Sequence, residues 1–250
     1  MYVFGGFDES IESFSQDVHR LDLSTYTWKL LSCVGEPPVD LYDHSATAIG
    51  QLMVIFGGGG SYSNKVSYFD TNTSTWHSPA IHQPMPSGRG QHSAISLGMG
   101  KMLVFGGFND TEEHKDDLWL LDTESWAWTK VEPHGAGPNP RTAQALVKAG
   151  NRIFLFGGTS PYYGPPLYFT PEQLALLPQN EDHLYKWMTH NDLYVLDLAP
   201  SLKTLAIMAI KRHKLSTEGL PGTLLKEIYF MTASNVISKP LRTVESLSTD

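Results

Sequence analysis

The stretch MLVFGG at residues 102–107 is a short run of apolar residues closed by two glycines, and the chain repeats it. The same design reads MYVFGG at 1–6, MVIFGG at 53–58 and IFLFGG at 153–158. The first glycine of each pair falls at Gly5, Gly57, Gly106 and Gly157, intervals of 52, 49 and 51 residues. A second landmark follows each pair: HRLD, SYFD, WLLD and YVLD, ending at Asp22, Asp70, Asp122 and Asp197. Six residues beyond the first three aspartates stand Trp28, Trp76 and Trp128. A third landmark precedes the later glycine pairs, as DHSATA (43–48), QHSAIS (91–96) and a weaker RTAQAL (141–146). Three landmarks in one register mark an internal repeat.

Physically each period reads as one small four-stranded antiparallel sheet. Runs such as Tyr2-Val3-Phe4 and Leu103-Val104-Phe105 are apolar on both faces, as strands stacked between neighbouring sheets must be. The glycine pair ends the strand where positive φ or a close approach is tolerated only without a Cβ. The tryptophan strand offers a large apolar surface to the next sheet. A period near about 50 residues with this content is that of kelch propeller blades.

The landmarks resemble kelch repeats throughout residues 1–235. TKVEPHGAGPNPR (129–141), LFGGTSP (155–161) and DLYVLDLAPSLKTL (192–205) resemble the kelch domain-containing protein 3 family in particular. The resemblance implies an all-β kelch β-propeller with a short C-terminal α-helical segment. The repeats occupy 1–197, with blades at about 1–34, 43–78, 91–131 and 141–197. Six blades are expected for this family, so the count reads as the C-terminal part of a longer protein. A complete four-bladed ring, closed by an odd strand, is the alternative. Gly158 to Asp197 spans 39 residues against 12 to 16 in the other repeats. The surplus at about 160–190 reads as an inserted loop, with a short helix at PEQLALL, and as either a recognition loop or a variable insert. Residues 233–250 are polar and read as a disordered tail.

After Asp197 the tryptophan strand fails, because Lys203 stands where Trp is due. Leu202, Leu205, Ala206, Ala209 and Ile210 recur at helical spacing behind Pro200 and Ser201. Pro221 opens a second helix in LPGTLLKEI. Two readings of this 198–232 pair are open: a cap on the sheets, or a docking element. Ser201, Leu202, Ala206 and Ile210 resemble an elongin-binding box, and Leu220, Pro221, Leu224 and Ile228 the companion cullin-2 box. The first box often carries Cys where Ala206 stands, a shallower filler.

The resemblance thus implies a substrate-recognition subunit of a cullin-2 ubiquitin ligase, partnered by elongin B, elongin C and cullin-2, which reads C-terminal glycine degrons. A carboxylate needs cations and backbone donors, and the best-placed cations are Arg89 in PSGRGQHSA and Arg141 in NPRTAQA. The other reading of both is an ion pair with a neighbouring blade. The second repeat has Leu41 at the position of those arginines and Gly59 where FGGR would place a cation. The alternative function is a non-catalytic kelch scaffold, linked to chromatin through protein partners.

Composition narrows the classes. The 250 residues are 41% apolar and 18% charged, with a net charge of −8; that is globular material and a poor match to a phosphate backbone. Direct nucleic-acid contact is therefore not expected. One cysteine, Cys33, excludes an internal disulfide and a Cys-rich zinc site. No run approaches the about 20 apolar residues of a membrane span. MYVFGGFDES lacks the basic and apolar regions of a signal peptide, so the sequons at Asn72 and Asn109 carry little meaning and a cytoplasmic and nuclear location is expected. His44 and His92 share one repeat position and read as structural; His114 lies in the acidic turn EEHKDD (112–117). Neither a Walker loop nor a nucleophile elbow is present, and no catalytic residue, metal or cofactor is expected.

Overall fold

The computed structural model describes residues 1–162 and 186–232, apart from positions 11, 40 and 61. The helix expected at PEQLALL and the tail at 233–250 lie outside the described residues, as does most of the 160–190 insert.

Four antiparallel sheets follow the repeats. The first contains β1 (Tyr2–Phe4), β4 (Val18–Asp22) and β5 (Thr27–Leu30), with a small hairpin of β2 (Phe7–Asp8) and β3 (Ser13–Phe14) between them. The second runs β6 (Ser45–Ile49), β7 (Leu52–Phe56), β8 (Val66–Asp70) and β9 (Thr75–His77). The third runs β10 (Ser93–Gly98), β11 (Lys101–Phe105), β12 (Leu118–Asp122) and β13 (Ala127–Val131). The fourth contains β14 (Ala145–Ala149), β15 (Arg152–Phe156) and β18 (Leu193–Asp197), and a hairpin of β16 (Thr159–Tyr162) and β17 (Lys186–Thr189) projects between the last two. The third-landmark strands β6, β10 and β14 lie against one another. They form the inner edge of the stack.

Three apolar clusters join the sheets in series. Phe4 and Val18 of the first meet Ile55, Phe69 and Trp76 of the second. Val54, Phe56 and Val66 of the second meet Val104, Leu121 and Trp128 of the third. Leu103, Phe105 and Leu118 of the third meet Ile153 and Leu155 of the fourth. Each sheet therefore has a forward and a backward apolar face, as the sandwiched strands require. One expectation is corrected: the tryptophans pack against the preceding sheet, not the next. Trp76 sits 4.6 Å from Phe4 and Trp128 5.0 Å from Phe56, ring centre to ring centre.

At the two ends these faces are bare. Val3, Trp28 and Leu30 are exposed on the backward face of the first sheet, and Phe156, Leu193 and Val195 on the forward face of the fourth. The first and fourth sheets therefore do not close into a four-bladed ring; the described sheets make an incomplete kelch propeller.

Two sequence landmarks acquire reasons. At the glycine pair, the neighbouring inner strand comes so close that a Cβ on Gly57 would lie 2.4 Å from the Arg89 carbonyl oxygen, at φ +67°. A side chain there is excluded by both space and backbone. The strand-ending aspartates cap the next turn. Asp70 Oδ1 accepts from the Asn72 and Thr73 amides, and Asp122 Oδ1 from those of Glu124 and Ser125. Ser74 and Trp126 then adopt φ of 54° and 52°, and the tryptophan strand returns. In the fourth repeat Asp197 still accepts from the Ala199 amide, but Pro200 replaces Thr73 and Ser125. Proline has no N–H to give and disfavours helical backbone in the residue before it. The second of the two capping bonds cannot form, and the chain leaves the sheet for α1 (Leu202–Arg212) and α2 (Gly222–Thr232).

Candidate functional site

The helical segment begins with a side-chain cap. Ser201 Oγ accepts from the Thr204 amide at 3.1 Å, and the Ser201 carbonyl accepts from the Leu205 amide, so Ser201 is the N-cap of α1. Leu202, next to it, is 86% exposed. Leu205, Ala206 and Ala209 are exposed too, Ile210 is half-buried, and Ile207 is buried. Most of the stripe read from the sequence is thus exposed on α1, and the buried Ile207 lies outside it. Pro221 starts α2, its carbonyl accepting from Leu224 and Leu225. Leu220, Leu224 and Ile228 are half-buried, while Leu225 and Tyr229 on the same helix are exposed. Leu202 and Leu205 on α1 and Leu225 and Tyr229 on α2 offer large apolar side chains to solvent.

The two arginines are placed differently from the expectation. Arg89 and Arg141 are both wholly buried. Arg89 Nη1 and Nη2 donate to the two carboxylate oxygens of Asp117 at 2.6 and 3.0 Å, and Nη1 also donates to the Gly106 carbonyl. Arg141 repeats this with Asp192 at the same two distances and with the Gly157 carbonyl. Burial would raise the Asp117 carboxyl, but the bonded Arg89 guanidinium, with Trp119 donating beside it, holds it below the usual carboxylate range. The paired N–H groups of each fork are taken up by its aspartate. Neither guanidinium is open to a peptide carboxylate; each ties its inner segment to the third strand of its own sheet. Sequence reasoning missed Asp117 and Asp192.

The repeat with Leu41 explains itself in the same terms. Leu41 is buried in the apolar cluster between the first two sheets, and Lys65 occupies the position of Asp117 and Asp192. The buried arginine and its carboxylate partner are lost together, and the Lys65 that replaces the carboxylate is exposed, so no buried charge is left unpaired there.

The inner strands are linked by polar side chains. The His92 ring bonds Ser45 Oγ at 2.8 Å, and Gln144, which stands where His44 and His92 stand, donates to the Phe105 carbonyl at 2.9 Å. Burial, with Arg89 and His44 nearby, pushes His92 down to about 3, so it is neutral at physiological pH. These histidines are structural links between sheets. His114 stacks on Phe108. Among the described residues no three His, Cys, Asp or Glu side chains gather as a metal site, and no helix is long and apolar enough to cross a membrane.

Comparison with known proteins agrees with this architecture. Residues 1–163 match the family model described as the KLHDC2/KLHL20/DRC7 Kelch-repeats domain. The chain is 36% identical to human Kelch domain-containing protein 3 over 253 residues, 96% of this chain and 62% of that protein. The mouse protein of the same name is 37% identical over 257 residues with the same coverage. Drosophila Host cell factor is 31% identical over 189 residues, 72% of this chain and 12% of that protein. The chain thus spans less than two thirds of the Kelch domain-containing protein 3 sequences it matches. With its sheets, glycine pairs and strand-ending aspartates in register, the chain belongs to the kelch-repeat family.

Proposed function

We propose that this kelch protein-interaction module is the substrate-recognition subunit of a cullin-2 ubiquitin ligase, with elongin B and elongin C bound at α1 and cullin-2 at α2. The observation that carries the reading is Leu202, held by the Ser201 cap at the start of α1 and 86% exposed. A large apolar side chain on a capped, solvent-facing helix is what helix-in-groove recognition uses as an anchor. Ala206 lies one turn further along the same exposed face and Ile210 beyond it, half-buried. Pro221, Leu224 and Ile228 continue the pattern on α2.

In this reading the chain selects substrates bearing C-terminal degrons, in the cytoplasm and nucleus, and its partners perform the chemistry. The test is co-purification of the chain with elongins B and C. Leu202→Asp is expected to abolish recovery while leaving the unfolding transition in place, because Leu202 has little to lose from the folded state. Wild-type recovery by that variant overturns the assignment. Substrate class is tested separately, with peptides ending in glycine against the same peptides amidated; equal binding removes carboxylate reading.

A further inference from the structure

Charge is distributed unevenly along the chain, and α1 lies where the sign reverses. The protein carries a net charge of −8, yet Leu198 to Thr217 contains no Asp or Glu, while Lys203, Lys211, Arg212 and Lys214 are cationic. Three of these four stand in KRHK at 211–214, at the C-terminal end of α1. Cations there suit the helix dipole. The dipole acts only over the last turn, however, and does not call for the absence of acid along the whole segment. His213 and Lys214 are exposed, so this end of the helix faces water.

The same helix offers apolar anchors. Leu202 is 86% exposed, Leu205 43% and Leu215, just past the helix, 55%. Lys214 holds φ of 49°, a left-handed conformation, and the Leu215 amide donates to the Ile210 carbonyl. That turn ends the helix with Leu215 directly after the basic run. A basic helix with an exposed apolar face fits two kinds of acidic partner, an anionic membrane surface or the groove of a calcium sensor. Interfacial helices lean on bulky aromatic residues and on cations spread along the polar face. α1 has no aromatic residue, and its cations gather at one end. The sensor groove is the better fit, since it takes a few aliphatic anchors between methionines and has acidic residues at its rim.

We propose that α1 is a target helix for a calcium-loaded sensor of the calmodulin type, with Leu202 and Leu205 in its apolar groove and KRHK against its acidic rim. Calcium opens that groove, so binding follows calcium. The buried Ile207 need not move, because both anchors are exposed. Leu202 is also the anchor assigned to the elongins, and one consequence rests on that reading. A helix held by the sensor is closed to the elongins, so a calcium signal releases the chain from its ligase.

The probe is dansyl-labelled calmodulin, titrated with the full chain in calcium and again in EGTA. Saturable binding, read as a blue shift of the dansyl emission, is expected in calcium and none in EGTA. Leu202→Asp is expected to abolish it. Lys211→Gln, Arg212→Gln and Lys214→Gln together are expected to weaken it about tenfold or more while elongin recovery is unchanged. Lys148→Gln, at an exposed lysine on β14, is expected to change neither. Urea unfolding checks that each variant folds. No binding in calcium, equal binding in EGTA, or full-strength binding by the triple variant each overturns the proposal. Capture by phosphatidylserine vesicles without binding to calmodulin overturns it in favour of a membrane surface. If calmodulin binds while the wild-type chain recovers no elongin, the sensor site stands and the ligase reading falls. If calmodulin and the elongins are held at once, the competition between them is overturned.

Discussion

The third and fourth sheets begin alike and finish differently. Both have the buried arginine fork on an aspartate, the glycine pair and the capping aspartate at the end of the third strand. After that aspartate they part: Pro200 stands where the third repeat has Ser125, and Lys203 where it has Trp128. Where the amide is present the chain turns back as a tryptophan strand; where it is missing the chain becomes helix, and among the described residues the sheet ends at β18. A conserved-looking frame therefore does not dictate its own last strand. The loss of a turn amide at Pro200 and of the tryptophan at Lys203 accompany the change.

The largest effect should come from the feature the two sheets share. Asp117→Ala leaves the buried Arg89 charge unpaired and is expected to destabilise the chain by about 3–5 kcal/mol in urea unfolding. The double variant Arg89→Leu with Asp117→Lys imitates the natural Leu41 and Lys65 arrangement and is expected to recover most of that loss. If the double variant is as damaged as the single one, the two sites do not act as a charge-balanced unit.

Next comes the contrast between filled and bare faces. Trp128 is 3% exposed against Phe56 of the sheet before it, while Trp28, its counterpart in the first sheet, is 51% exposed. Trp128→Ala is expected to cost about 3–5 kcal/mol. Trp28→Ala should cost well under half of that, since much of its surface is already in water. Comparable losses at both positions would show that Trp28 is covered in solution.

The smallest expected effect separates His92 from Gln144. The folded-state value of His92 is held at about 3, below the ordinary 6.5, by burial first and by Arg89 second. Between those values the unfolded chain binds a proton that the folded chain does not. Stability contributed by the neutral ring is therefore fully present above about pH 6.5 and is lost as pH falls toward 3. The slope is about 1.4 kcal/mol per pH unit for one proton. His44 and His190 are lowered chiefly by burial and act in the same direction. His92→Gln, the residue found at this place in the fourth repeat, is expected to flatten the acid limb between pH 6.5 and 5 by about 1–2 kcal/mol. An unchanged limb would assign the acid sensitivity to the other histidines.

Much of the fold was legible because the repeat prints it four times. The glycine pairs, capping aspartates and tryptophans are local features, each explained by a turn or a close approach a few residues away. The arginines were harder. Arg89 lies 28 residues from Asp117, and Arg141 lies 51 from Asp192 because the insert intervenes. A cation's partner at that distance is set by sheet topology, not by local pattern. The clue was nonetheless present: DLWLLD and NDLYVLD both place Asp ahead of the strand where an arginine exists, and KVSYFD places Lys65 there where Leu41 stands. On the helices, the spacing located the apolar stripe of α1 but not that its inward anchor is Ile207, since a stripe does not say which side faces a partner. That β18 is the last strand of its sheet among the described residues was legible as a missing tryptophan at Lys203.

Each sheet leans only on those immediately before and after it, so damage travels no further than one junction in either direction. A lesion at the first sheet weakens the Phe4–Trp76 seam and leaves the seam around Phe105 as it was. Nearest-neighbour stacking of this kind lets sequence drift in one repeat without dragging the others along. It also lets a terminal unit trade its last strand for a pair of helices while the rest of the row keeps its form.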